Sequence, residues 1–172
     1  MRLIGLWILC ASYLAADSGY FWLGVNYGKS GFEYENASGT FTSDKTETTG
    51  GKIGYQFGDQ AILLEYDKPS LEDGEELELY LLDYRLIGSS AGWPLALYLD
   101  ISLGQSTYSS EALALEESNE VYGGGIGFLL KFHEYVLLEG GYKSLTSKGL
   151  SENDLFNITK ITLSYGALII RF

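Results

Sequence analysis

Beyond residue 18 the chain contains no apolar run long enough for a helix to cross a bilayer, yet 46% of all its residues are hydrophobic. Those residues recur at every second position instead. Eight stretches alternate in this way, at residues 19–30, 51–57, 60–68, 77–86, 95–106, 120–132, 135–144 and 158–172. In 95–106, for example, Leu95, Leu97, Leu99, Ile101 and Leu103 share one face, while Ala96, Asp100, Ser102, Gly104 and Ser106 share the other. A repeat of two is the signature of a β-strand with chemically distinct faces. Twenty-two Gly, fourteen Tyr and only two Pro fit long strands better than helices. The last stretch is apolar on both parities; grouping Phe172 with Leu168 and Ile170 assigns these three to the apolar face and Arg171 to the other.

The opposite faces of these strands hold Gly, Ser, Asn and charged residues. A soluble sandwich would bury the apolar face, whereas a membrane-spanning barrel would turn it toward lipid. Three features favour the barrel. Connections alternate between long (about residues 31–49, 68–76, 107–120 and 145–157) and short (near 58–59, 87–94 and 133–134), as in barrels with short turns at one end and long loops at the other. Aromatics gather where the apolar face ends. Tyr27, Tyr66, Tyr80, Tyr122 and Tyr142 would form one girdle, and Phe21, Phe57, Tyr84, Phe132 and Phe172 the other. Tyr122 and Phe132 are ten residues apart, which on a tilted strand spans roughly 23 Å of membrane.

Charge is partitioned as well. The chain carries 23 acidic and 11 basic residues, a net charge of −12, and fourteen of the acids fall in the four long connections against Lys45, Lys68 and Lys148. Such a balance, without a basic run, excludes nucleic acid as a partner. At the N-terminus, Arg2 followed by the apolar stretch 3–15 and small residues near Ala16 and Ser18 reads as an export signal over 1–18, leaving a barrel over 19–172. Cys10 is the only cysteine and lies inside that signal, so no disulfide and no Cys-based metal site is expected in the mature chain.

With its terminal Phe172 preceded at alternate positions by Ile170 and Leu168, the chain resembles the small bacterial outer-membrane barrels of the OmpA transmembrane domain, OmpX and Neisserial surface protein A families. The resemblance covers residues 19–172. It implies an all-β, eight-stranded, antiparallel up-and-down barrel in the bacterial outer membrane, with both termini periplasmic. It also implies assembly through the barrel-insertion machinery, which would read Leu168, Ile170 and Phe172. Outer-membrane lipid and lipopolysaccharide are the implied surroundings. With the chain ending at Phe172, no peptidoglycan-binding domain is expected to follow.

Because an open sheet edge cannot be left in lipid, the first and last strands must pair. Eight strands enclose an interior that side chains can fill. Trp22 and Tyr98 are candidates to fill it, and Lys52, Glu65, Asp83, Arg85, Asp100, Lys131, Glu139, Lys143 and Arg171 fall on the enclosed face, where charges need partners. A salt-bridged plug is the structural expectation; a narrow path for ions or small apolar molecules is the alternative. Lipid A-modifying barrels use a His with a Ser near the outer leaflet, but the single His133 falls in a short turn at the wrong end, so no enzyme and no cofactor is expected. Residues 73–76 (Asp-Gly-Glu-Glu) lack calcium-loop spacing, and no metal is expected there. What remains is a structural barrel, or one whose acidic loops meet a ligand outside the cell; a soluble lipocalin-like carrier is the contrasting class.

Overall fold

The computed structural model describes residues 19–36, 39–42, 45–71, 75–89, 93–110, 115–148 and 157–172. All the elements in them are strands: β1 (Tyr20–Asn36), β2 (Gly39–Thr42), β3 (Thr46–Phe57), β4 (Gln60–Pro69), β5 (Glu75–Ser89), β6 (Leu95–Ser110), β7 (Leu115–His133), β8 (Val136–Lys148) and β9 (Asn157–Arg171). Eight of them, β1 and β3 to β9, pair antiparallel with their sequence neighbours, and β9 closes on β1. The short β2 pairs only with the far end of β1, as a ribbon at the long-loop end. Phe21 and Phe172 exchange two backbone hydrogen bonds, of 2.9 and 3.1 Å, sealing the seam.

The register fixes the shape. A walk across the strands from Val25 through Gly51, Tyr66, Tyr80 and Gln105 meets β7 at Glu120. The opposite walk, through Leu168 and Leu138, meets it at Leu130. The stagger is ten residues, which for eight strands means a tilt of about 40° and a radius of about 8 Å.

Each predicted stretch lies within a strand to within one residue at either end, but most strands run further. β1 continues to Asn36, β6 to Ser110, and β7 starts at Leu115, so much of what reads as long connection is strand continuing beyond the apolar belt. Polarity, which served to mark the loops, reports only where the belt ends, because backbone pairing continues into water without an apolar face. The turn after β7 occupies Glu134 and Tyr135, one residue later than expected. The β3–β4 turn is two residues long, and Gly58 takes φ +58°, where a side chain is disfavoured.

The apolar stripe faces out. Leu97, Leu99 and Ile101 are 64%, 58% and 60% exposed, while Asp100 and Ser102 are buried. On β9, Leu168, Ile170 and Phe172 are exposed and Ile161, Leu163 and Ile169 buried. The girdle positions Tyr27, Tyr80, Tyr122, Tyr142, Phe21, Tyr84 and Phe132 are exposed, and Tyr66 and Phe57 are partly so. At the short-turn end Tyr55 joins this set, its ring 4.9 Å from Phe21 and 6.5 Å from Phe57. At the other end the Tyr66 and Tyr80 rings meet in a tilted pair with centres 5.1 Å apart, and both donate to Glu78, at 2.8 and 3.1 Å. Further out, Lys68–Glu76 and Lys160–Glu33 are exposed ion pairs of 2.9 Å, each contributing about 0–1 kcal/mol.

The interior is not uniformly polar, as the alternation suggested, but layered. One buried apolar cluster, including Phe32, Leu77, Leu79, Leu145 and Ile161, occupies the long-loop half. Another, including Trp22, Leu63, Leu129, Leu137 and Ile169, occupies the short-turn half. Buried charges lie between them. Glycines let the walls come close. A Cβ at Gly123 would stand 2.1 Å from the Ser144 carbonyl oxygen and 2.8 Å from the Leu145 Cα, both backbone atoms that cannot rotate away. Gly123→Ala is therefore expected to cost about 1–3 kcal/mol through displacement of the β7–β8 ladder, measurable by urea unfolding in lipid vesicles.

Residues 1–18, Asp44, Glu72, Asp73, Glu111, Glu152 and Asp154, assigned above to the leader and the long connections, lie outside the described residues.

Candidate functional site: the charged lumen

Inward positions on neighbouring strands bring seven charged side chains into one layer, and they alternate in sign. Asp83 (β5) and Glu65 (β4) both accept from Lys143 Nζ (β8), each at 2.5 Å. Glu65 also meets Lys52 (β3) at 3.4 Å, and Lys52 meets Glu139 (β8) at 3.1 Å. Arg85 (β5) donates to Glu139 at 2.9 Å and grips Asp100 (β6) in bidentate fashion at 2.7 and 2.8 Å. The order is Asp83, Lys143, Glu65, Lys52, Glu139, Arg85, Asp100, with an acid at each end. All seven side chains are at most 1% exposed.

Glu139 is the node of this chain. Its Oε1 accepts from Lys52, from Arg85, from Tyr98 (2.8 Å) and from Tyr165 (2.9 Å). The two phenols lie 3.0 Å apart. The Arg85 guanidinium stacks 3.7 Å from the Tyr98 ring centre, and the Lys52 ammonium lies 4.5 Å from that of Tyr165. These cation–π contacts give the buried cations a second set of partners. The inward glycines make room for the rings: a Cβ at Gly141 would stand 2.2 Å from the Tyr98 hydroxyl oxygen and 2.8 Å from that of Tyr165. Gly127 on β7 and Gly141 on β8 are therefore the complement of the two tyrosine rings.

Two positions expected in this layer stand apart from it. Lys131 is exposed and Arg171 half-buried; both line a small cavity of about 180 Å³ at the short-turn mouth, beside Trp93 and Leu137. Arg171 donates to the Glu134 carbonyl at 2.6 Å and lies over the Tyr20 ring. They have the inward parity but sit too near the strand ends to be enclosed. Conversely, Asn26, Asp67 and Tyr165 join the layer without having been singled out. Asn26 Nδ2 donates to Glu65 at 2.7 Å and to Asp67 at 3.1 Å. The available signal was parity, since Asp67 follows Glu65 by two and Asn26 follows Trp22 by four. His133 is exposed at the short-turn end, its Nδ1 accepting from the Tyr135 amide at 3.4 Å.

An apolar outside, a closed ring of eight antiparallel strands and an ion-paired interior define the class as the small outer-membrane β-barrel fold. Solved structures agree. Neisserial surface protein A superposes with a TM-score of 0.63 at 14% identity, over 88% of this chain and 97% of that one. The N-terminal barrel domain of Pseudomonas aeruginosa OprF gives 0.58 at 17% identity, over 87% and 97%. Ail, the attachment invasion locus protein of Yersinia pestis, gives 0.54 at 15% identity, over 90% and 99%; a further structure has Ail in complex with the heparin analogue sucrose octasulfate. No protein-family model and no curated sequence matches the chain. At these identities the likeness is one of fold.

Proposed function

We propose that this chain is an integral protein of the bacterial outer membrane, with both termini periplasmic, whose work is structural or adhesive and is done by its acidic outer ends rather than by transport or catalysis. The observation that carries this reading is the filled centre. Trp22, Arg85 and Lys143 are fully buried in the barrel interior, with apolar layers on both sides of the charges. A ring of side chains locked by ion pairs leaves the surface as the place for function.

Charge narrows the partner. The long-loop end carries Glu33, Glu47, Glu75, Glu76, Glu78 and Glu120 among its described residues, and further acids in the connections. A sulfated ligand of the kind bound by Ail would be repelled, so a basic partner, or lipopolysaccharide bridged by divalent cations, suits this surface better. Leu168, Ile170 and Phe172, exposed at the seam, suit recognition by the insertion machinery.

Two measurements on one preparation test the reading. The outer-membrane fraction should contain a band whose gel mobility changes on heating, and protease added outside cells should cut the long connections and spare the short turns. In planar bilayers the purified protein should give no steady open level. Recovery in the soluble extract would overturn the membrane assignment, and a sustained conductance would establish the conduit instead.

A further inference from the structure

The alternating chain of seven leaves one buried carboxyl over. Asp67 is 4% exposed, and no ion pair involves it among the described residues. The charged and titratable groups around it are already committed. Lys52 on β3 is shared by Glu65 and Glu139, Lys143 on β8 by Glu65 and Asp83 of β5, and Glu65 on its own strand shares the Asn26 amide with it. From β1 it meets the neutral Asn26, and from β3 the bare backbone of Gly50, where a Cβ would stand 2.2 Å from Asp67 Oδ1.

Asn26 is the second observation. Its amide nitrogen donates to Glu65 and Asp67 together, which fixes the orientation of the amide, yet its Oδ1 is buried without a donor. Two carboxylates held on one amide, away from water, repel each other. A buried acceptor without a donor adds a further cost. One proton on Asp67 Oδ2, the oxygen that does not accept from the Asn26 amide, removes both problems: it cancels the uncompensated charge and supplies the O–H that Asn26 Oδ1 lacks.

We propose that Asp67 is a proton-binding site, occupied at neutral pH, in which the neutral carboxyl and the Asn26 amide close a ring of two hydrogen bonds at the loop side of the ionic layer. Asp67 follows Tyr66 of the outer girdle, so the site lies where the interior approaches the medium. Loss of the proton places two negative charges on Asn26 and loosens that end of the lumen. The linkage sign follows: the stability contributed by the protonated pair is present in acid and is lost as pH rises through the titration of Asp67.

The test uses the full mature chain in lipid vesicles with ¹³C-labelled aspartate. At pH 7 the infrared spectrum should contain a protonated-carboxyl band that shifts with the label and disappears in Asp67→Asn. That variant keeps a neutral pair with Asn26 and should lose the decline in stability that the wild type shows as pH rises from the ordinary aspartate range through the titration of Asp67. Should it fail to assemble, the carboxyl ¹³C shifts of the wild type decide: at pH 7 one aspartate should carry the shift of a protonated carboxyl. Full ionisation of all aspartates at pH 7, or a band that survives in Asp67→Asn, would overturn the proposal.

Discussion

Glu139→Ala is expected to be among the most damaging single substitutions in the barrel, at a cost of about 3–5 kcal/mol. One carboxylate oxygen on β8 holds donors from four other strands: Lys52 on β3, Arg85 on β5, Tyr98 on β6 and Tyr165 on β9. Truncation leaves two buried cations short of counter-charge and two hydroxyls without their acceptor, in a layer closed off from bulk solvent. Glu139→Gln keeps an acceptor and should cost less, with the difference reporting the charge. Equilibrium unfolding in urea, followed by tryptophan fluorescence in vesicles, measures both. Because the same node fills the centre, Glu139→Ala should also show brief openings in planar bilayers where the parent is silent.

Ile101→Arg comes next. Ile101 is 60% exposed in the middle of the apolar belt, between Leu99 and Leu103 on β6. An arginine there faces acyl chains and should cost about 2–4 kcal/mol in a bilayer. The same substitution at Thr107, on the same face of β6 but beyond the belt, should cost little. If Ile101→Arg were tolerated in vesicles as readily as Thr107→Arg, the outward stripe would not be facing lipid.

The fold and the outward direction of the apolar stripe were legible because a repeat of two, sustained over eight stretches, leaves a sheet few choices, and closure follows once lipid is the solvent. Polarity along β1, β6 and β7 did not reveal that the strands outlast the belt, since paired backbone in water needs no apolar face. The charged layer was legible by parity alone: Lys52, Glu65, Asp83, Arg85, Asp100, Glu139 and Lys143 were all placed inward, and all are buried. Parity carries no depth, however, and so it also drew in Lys131 and Arg171, which share the inward side but stand at the rim. Nor does it say who pairs with whom. Partners such as Lys143 and Glu65 are 78 residues apart, and only the ten-residue stagger brings them level. The roles of Asn26 and Tyr165 depend on the same long-range geometry.

The seam between β1 and β9 joins residues as far apart as Phe21 and Phe172. A half-built sheet therefore has two raw edges and no enclosed space in which Lys52, Arg85 and Lys143 could find their acids. The cations must stay hydrated until the ring shuts, and dehydration, pairing and closure become a single event. An assembling chain of this design needs a chaperoned border more than it needs a nucleus, and its slowest moment should come at the end.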